Sequence, residues 1–351
     1  MLSRLFKKIS REIAIDLGTS NTLIFIKDRG VVINEASVVA VNTKTGQIIE
    51  VGKEALKMIG KTPAHIEVTQ PLVDGVVSDF EVTEKMLKYF INKIYKENRY
   101  IAPRPRVVIG IPLDVTEVEK KAVEDAVSSA GAREVYMVPN VIASAVGARM
   151  PIQDASGNMI VDLGGGLTEI AVISLSGVVA WKILRISGNS IDQDIVNYMR
   201  NEFNLLVGMK NAETLKINIS NIKDLNDDMK FNIRGRDIIS GLPREIMVSG
   251  VHVLRSLERS MKYVVDGIKS TLEITPPELI ADIYQRGIML SGGGALLKNL
   301  NIHIYESIKI PVRRVDDPLT CAVRGMGILL EDPRLLKEVA IPSTQAEDNI
   351  R

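Results

Sequence analysis

Residues 162–170 read DLGGGLTEI, and residues 16–24 read DLGTSNTLI. Both begin Asp-Leu-Gly, both carry Thr six positions after the Asp (Thr22 and Thr168), and both run into an apolar stretch. A Gly-rich turn between two strands lets backbone N–H groups approach an anion closely, because no Cβ intervenes, and successive amides cradle phosphate oxygens. An Asp at the strand end can hold hydrated Mg2+ against those phosphates. Either turn alone also reads as an ordinary structural β-turn. Two copies in register point to a duplicated phosphate-binding unit, one per lobe, gripping a polyphosphate from both sides. The second copy sets Leu167 inside an otherwise polar turn, a departure that calls for an explanation.

Working outward, 351 residues of which 46% are hydrophobic are enough for a large core and too many for one ordinary domain, so two lobes are expected. RPRVVIGIP reads as a buried strand, and TEVEKKAVEDAVSSAG as a helix opened by a capping box of Thr116 with Glu119 and closed at Gly131. NMIVDLGGGLTEIAVISL supplies two strands about a turn, and a second capping box, Ser190 with Gln193, is expected to open SIDQDIVNYMRNEF. Two amphipathic helices stand out: one from about 82 to 98 with Leu87, Phe90, Ile91, Ile94 and Tyr95 on one stripe, and one running from Leu254 to Leu272 and stopped by Pro276 and Pro277. This strand and helix alternation is an α/β pattern with parallel pairing. A third Gly cluster, SGGGALLKNL at 291–300, suits either a ring or phosphate lying against backbone or a tight left-handed connection.

The charge balance, 44 basic against 43 acidic side chains, draws the chain to no nucleic acid. One cysteine, Cys321, and scattered His65, His252 and His303 exclude a disulfide framework and an ordinary zinc cluster, and suit a reducing cytoplasm. At the N-terminus, Leu2, Leu5, Phe6 and Ile9 recur at helical spacing among Arg4, Lys7, Lys8 and Arg11. That is the pattern of a short interfacial helix, with a basic leader of no role as the alternative.

DLGTSNT, DLGGGLTE and SGGGALL, in this order and at these separations, resemble the ATPase fold of actin, Hsp70 and the sugar kinases. NEASVVAV, LVDGVVSDFEVTEKML, PRVVIGIP, GAREVY, RGRDIISGLP, TPPELIADIYQRGI and DPLTCAVRG further resemble the bacterial actin homologue MreB, over residues 12–332 without a missing element. The resemblance implies an actin-like, duplicated α/β fold of two lobes, each with a large and a small subdomain. The expected boundaries are 12–32, 75–145 and 315–340 for subdomain IA, 33–74 for IB, 146–181 and 246–314 for IIA, and 182–245 for IIB, with a leader at 1–11 and a loose tail at 341–351. It also implies ATP or ADP with Mg2+ between the lobes and self-association into filaments. Other MreB paralogues are possible partners. The location implied is cytoplasmic, peripheral at the inner face of the membrane.

By position, the resemblance makes Asp16, Gly18, Thr19, Ser20 and Asn21 the first phosphate loop, and Asp162, Gly164, Gly165 and Gly166 the second, with Asp16 and Asp162 flanking Mg2+, mostly through water. Glu213 and Lys216 match the helix beside ribose and adenine, and Gly292, Gly293, Gly294 and Ala295 close on the nucleoside. Taken alone, Glu213 and Lys216 read as a surface charge pair at i,i+3. The loop NRYIAP would touch the membrane through Tyr100 and Ile101, or would be a solvent-exposed loop.

The pattern breaks at hydrolysis, which needs a residue that orients and deprotonates the attacking water. The glutamate that does so in the family falls on Asn140, the neighbouring Pro139 is not acidic, and a family Thr falls on Leu167. ATP binding with slow hydrolysis is therefore expected, in a divergent paralogue of the kind found in wall-less helical bacteria such as Spiroplasma. The rival readings are a metabolite kinase of the same fold, for which no substrate segment is present, an Hsp70-type chaperone, for which no substrate-binding domain follows, and a nucleotide-locked structural subunit.

Overall fold

The computed structural model describes residues 12–96, 105–219 and 230–342. The chain divides into two compact units, the first from residues 1–155, 173–178 and 319–351, the second from 156–172 and 179–318.

In the first unit, β1 (Ile13–Leu17), β2 (Asn21–Ile26) and β3 (Gly30–Ala36) run as an antiparallel meander, and β1 also pairs in parallel with β9 (Arg106–Ile111). Adding β10 (Glu134–Pro139) gives the order β3-β2-β1-β9-β10. The core strands are buried on both faces, and Ile13, Ala14 and Ile15 are wholly inaccessible, which is why these segments are unbroken apolar runs rather than alternating ones. A small sheet of β4 (Val39–Asn42), β5 (Ile48–Val51) and β6 (Ile66–Thr69), with helix α1 (Lys53–Met58) between its last two strands in the chain, forms a separate layer. The tight hairpin of β7 (Leu72–Val73) and β8 (Val76–Val77) turns through Asp74 and Gly75, both at positive φ as an Asp-Gly hairpin turn requires.

Helix α2 (Phe80–Lys96) buries Leu87, Phe90, Ile91 and Ile94 against this sheet, as its stripe predicts. Helix α3 (Glu117–Ser129) has the expected capping box, with the Thr116 N–H donating to the Glu119 carboxylate and the Glu119 N–H to Thr116 Oγ1. Helix α4 (Asn140–Gly147) starts directly from β10 and packs on α10 (Cys321–Glu331). Glycine sets that approach: a Cβ on Gly325 would overlap the Ala143 carbonyl oxygen, and one on Gly147 the Cys321 carbonyl oxygen. Cys321 is a buried free thiol whose Sγ donates to Ser144 O.

The second unit repeats the sheet. β11 (Asn158–Leu163), β12 (Thr168–Ser174) and β13 (Gly177–Leu184) are sequential neighbours, and β11 pairs in parallel with β17 (Ile288–Ser291), itself parallel to β18 (Val312–Arg314). The order β13-β12-β11-β17-β18 reproduces that of the first unit, three consecutive strands followed by two reached through crossovers. Helix α5 (Gly188–Phe203), helix α6 (Met209–Ile219) and the long helix α7 (Gly250–Glu273) pack their apolar faces into one core, to which α7 contributes Val253, Leu257, Met261, Val264, Val265 and Ile268, and helix α8 (Pro277–Arg286) adds Ile283. A three-stranded sheet sets the short β14 (Leu205–Leu206) beside the hairpin of β15 (Lys230–Asp237) and β16 (Pro243–Ser249).

One sequence expectation shifts here. The cap of α5 is Ser187, paired reciprocally with Ser190, rather than Ser190 paired with Gln193. Gln193 instead bonds Asn197 one turn on. The helix starts earlier because Gly188 and Asn189 are drawn into its first turn by bonds to the Gly loop. The calls on Leu2, Leu5, Phe6, Ile9, Tyr100 and Ile101 lie outside the described residues.

Candidate functional site: two phosphate loops

The two hairpins are closed by the same backbone bond. The Gly18 N–H donates to Asn21 O at 3.1 Å, and the Gly164 N–H to Leu167 O at 2.8 Å. At each, a Cβ would stand within 2.8 Å (Gly18) or 2.9 Å (Gly164) of the carbonyl oxygen that closes the turn, so only glycine permits it. Leu167 therefore occupies the place that Asn21 holds in the first copy. Its carbonyl does the same closing work, while its side chain is buried and that of Asn21 is exposed.

Behind each loop the carbonyls are tied down. In the first unit Ser37 Oγ donates to Gly18 O at 2.6 Å, the Ser37 N–H donates to Ser20 O at 3.0 Å, and Thr22 Oγ1 lies 2.9 Å from Ser37 Oγ. In the second, the Gly188 N–H donates to Gly164 O at 2.9 Å and the Asn189 N–H to Gly165 O at 3.0 Å, while Thr168 Oγ1 donates to Ile186 O at 2.5 Å. Thr22 and Thr168, fully buried, are the anchors of these ties. Their identical offset from the Asp was the only sequence signal. Ser37 and Gly188 carried none.

The N–H groups of Thr19, Gly165 and Gly166 donate to no group among the described residues, although Thr19 and Gly166 are buried. Each loop thus has a preformed set of donors of the kind that an anion completes. Thr19 Oγ1 faces away, accepting the Gly75 N–H at 2.8 Å and so fastening the loop to the β7–β8 turn. Asp16 and Asp162 sit half-buried one residue before the ends of β1 and β11, and each is engaged in a further interaction. Among the described residues no cluster of three metal-ligating side chains occurs. One carboxylate per loop suits a hard cation held chiefly by phosphate and water.

The third Gly cluster is a tight connection. Gly292 has φ +78°, Gly293–Leu296 form a 3-10 turn, and α9 follows at Leu300–Ile308. A Cβ on Gly292 would press on Leu163 O and on Asp162 Oδ1, and one on Gly294 on Leu163 Cβ at 2.7 Å. These two glycines let the segment lie against the end of β11. Ala295 is buried beneath it.

Asn140, the first residue of α4, places its Oδ1 in a buried position with no hydrogen-bond partner, against Gly110 of β9. A buried acceptor left unpaired is costly, on the order of 1–3 kcal/mol. Pro139 caps the helix without a side-chain bond.

Glu213 and Lys216 part company. Glu213 is exposed, whereas Lys216 Nζ turns inward, 2.8 Å from Asp192 Oδ1, and donates to Gly188 O at 3.0 Å. The ammonium, with three N–H groups, serves both partners at once, as an ion pair with Asp192 and as donor to the Gly188 carbonyl. Burial pushes the Asp192 carboxyl up to about 6, against the opposing pull of Lys216 and with a smaller push from Glu213. The surface i,i+3 pair suggested by spacing gives way to this buried one.

The family model described as MreB/Mbl protein matches residues 10–338. The chain is 43% identical over 323 residues to the cell shape-determining protein Mbl of Bacillus subtilis, spanning 92% of this chain and 96% of that one. It is 41% identical over 335 residues to the cell shape-determining protein MreB of Escherichia coli, with 94% and 96% spanned. Among solved structures, MreB5 of Spiroplasma citri bound to ADP matches with TM-score 0.88 at 34% identity, covering 94% of this chain and 98% of that one, and the same protein bound to AMPPNP matches equally. A MamK double helical filament subunit shares the fold at TM-score 0.77 and 23% identity, covering 92% and 99%.

Proposed function

Since the chain belongs to the MreB/Mbl family of cell shape-determining, actin-like proteins, we propose that it is a cytoskeletal subunit that binds an adenine nucleotide with Mg2+, assembles with copies of itself, and hydrolyses ATP slowly. The observation that carries the nucleotide is the doubled hairpin, in which the same turn bond recurs and the carbonyl of the first glycine is tied back in both copies. The loops Gly18 to Asn21 and Gly164 to Gly166 would take phosphate oxygens on the amides that the turn bonds leave free, those of Thr19, Gly165 and Gly166, and Asp16 and Asp162 would be the carboxylates for Mg2+. Bound Mg2+ supplies charge neutralisation at the phosphates. Gly292 to Ala295 border the nucleoside. MreB5 of Spiroplasma citri, solved with ADP and with AMPPNP, supports this reading.

Slow hydrolysis rests on two side chains. Asn140 has no useful basicity, and its Oδ1 points into the protein against Gly110. Leu167 has no polar group and is buried. A missing general base typically costs about 10²–10⁴-fold. Phosphate release with ATP and Mg2+ under polymerising conditions tests this: the wild type should be slow, and Asn140→Glu/Leu167→Thr at least about tenfold faster. Brisk release by the wild type would mean that another group positions the water.

Self-association rests on the family, and membrane contact on the N-terminal pattern of Leu2, Leu5, Phe6 and Ile9 together with Tyr100 and Ile101. No helix among the described residues is long and apolar enough to cross a membrane, so contact would be through an interfacial segment. Sedimentation with anionic liposomes tests it: the chain lacking residues 1–11 should bind more weakly than the full chain, and equal binding refutes the role of that segment.

A further inference from the structure

The ammonium of Lys216 is linked to the second loop through a short chain of bonds inside one unit. Lys216 Nζ pairs with Asp192 at 2.8 Å and donates to Gly188 O at 3.0 Å. The Gly188 N–H in turn donates to Gly164 O at 2.9 Å, and the next amide, of Asn189, to Gly165 O at 3.0 Å. Gly188 lies directly on the loop, since a Cβ there would stand 3.5 Å from Gly165 Cα and 3.8 Å from Lys216 Nζ. The Lys216 and Asp192 side chains are only 13% and 7% exposed, so this is an internal fastening rather than a solvated pair.

From this geometry we infer that Lys216 is a positioning residue for the second phosphate loop: with Asp192 it fixes the Gly188 carbonyl, and through Gly188 and Asn189 it keeps the Gly164 and Gly165 carbonyls turned away from the ligand. This rests on reading that loop as phosphate-binding. It differs from the role beside the ribose that the resemblance implies, because the ammonium is already committed to a carbonyl and a carboxylate of its own unit. A group that touches ribose contributes equally to nucleoside and nucleotide. A group that acts through the loop contributes only when phosphate is present, because only then is the ordering of the loop amides used.

The experiment compares the full-length wild type with Lys216→Met, Lys216→Arg and Asp192→Asn, measuring the affinity of each for adenosine, ADP and AMPPNP with Mg2+, and the melting temperature of each without ligand. Lys216→Met should lose about tenfold for ADP and AMPPNP while adenosine stays within about twofold. Asp192→Asn should show a loss in the same direction with the same dependence on phosphate, and Lys216→Arg should retain most of the affinity. Equal losses for adenosine and ADP would overturn the inference in favour of direct contact with the nucleoside, as would unchanged ADP affinity in both neutral variants. Should Lys216→Met fail to fold, Asp192→Asn reads the same linkage with one oxygen exchanged for nitrogen. A wild type that binds adenosine but gains nothing from phosphates would refute the reading of the loop itself, a result distinct from a change confined to the variants.

Discussion

The pairing of Asn140 with Gly110 makes a quantitative prediction. Asn140 Oδ1 is buried and unpaired, and a Cβ on Gly110 would overlap it, with Asn140 Cγ at 3.4 Å and Met326 Cε at 3.3 Å as the next contacts. Gly110→Ala must drive the amide from its rotamer, which costs about 0.5–1.5 kcal/mol, and overpack the site, at about 1–3 kcal/mol. The gain from replacing a strand glycine offsets roughly 0.5–1 kcal/mol of this. A net loss of about 2 kcal/mol is expected. Asn140→Ala removes an unsatisfied acceptor worth about 1–3 kcal/mol and improves helix propensity, against a small void, so it should stabilise by about 1 kcal/mol. In the double variant the overlapping oxygen is gone and only the flexible tip of Met326 remains close, so Gly110→Ala should become neutral or slightly favourable. The coupling should reach about 2 kcal/mol. Urea denaturation of the nucleotide-free protein, followed by circular dichroism, measures all four corners of the cycle. Additivity within about 0.5 kcal/mol, or a destabilised Asn140→Ala, would refute the reasoning. A stabilising Asn140→Ala would also indicate that a polar group is kept there at the expense of stability, as at functional positions.

Three further outcomes follow from the same geometry. Asp192 holds its proton up to about 6 in the folded chain against an ordinary 3.8. Between those values the folded state binds a proton that the unfolded state has released, so its contribution lowers stability as pH rises from about 4 to about 6, by on the order of 3 kcal/mol in full, and is flat above. The difference between wild type and Asp192→Asn in urea midpoints across that range isolates it, and a difference that does not vary with pH would contradict it. Gly325→Ala forces a methyl group into the Ala143 carbonyl and toward the Gly147 N–H at 2.7 Å, where only backbone can yield, so roughly 3 kcal/mol or more should be lost in denaturant titration, or soluble expression should fail. Thr168→Val leaves Ile186 O without its buried donor, and Thr22→Val does the same to Ser37 Oγ. Each should cost about 1–2 kcal/mol by urea titration and weaken ADP binding.

Much of this was legible because it is local. The turn that needs glycine at positions 18 and 164 is closed by a carbonyl three residues on, so its chemistry lies within one short string, and its repetition revealed the duplicated sheet. The capping box of Thr116 and Glu119 and the stripe of Leu87, Phe90, Ile91 and Ile94 were readable for the same reason, since spacing alone decides which side chains share a turn or a face. The cap of α5 was misplaced because two serines compete at that start, and the choice of Ser187 is made by bonds from Gly188 and Asn189 to a loop more than twenty residues earlier.

The sequence by itself determined that two glycine hairpins exist, that their Asp and Thr stand at matching offsets, and that the positions expected to serve hydrolysis carry Asn and Leu. Tertiary structure alone decided what each of those groups faces. Lys216 turns from its neighbour Glu213 to Asp192 on another helix, Thr22 reaches Ser37, Gly325 admits the Ala143 carbonyl, and Asn140 Oδ1 is buried against Gly110 without a donor. The physical reason is range. Turn and helix bonds join residues a few positions apart and are set by backbone geometry, whereas the partner of a buried polar side chain is whichever group the packing of distant segments brings within about 3 Å.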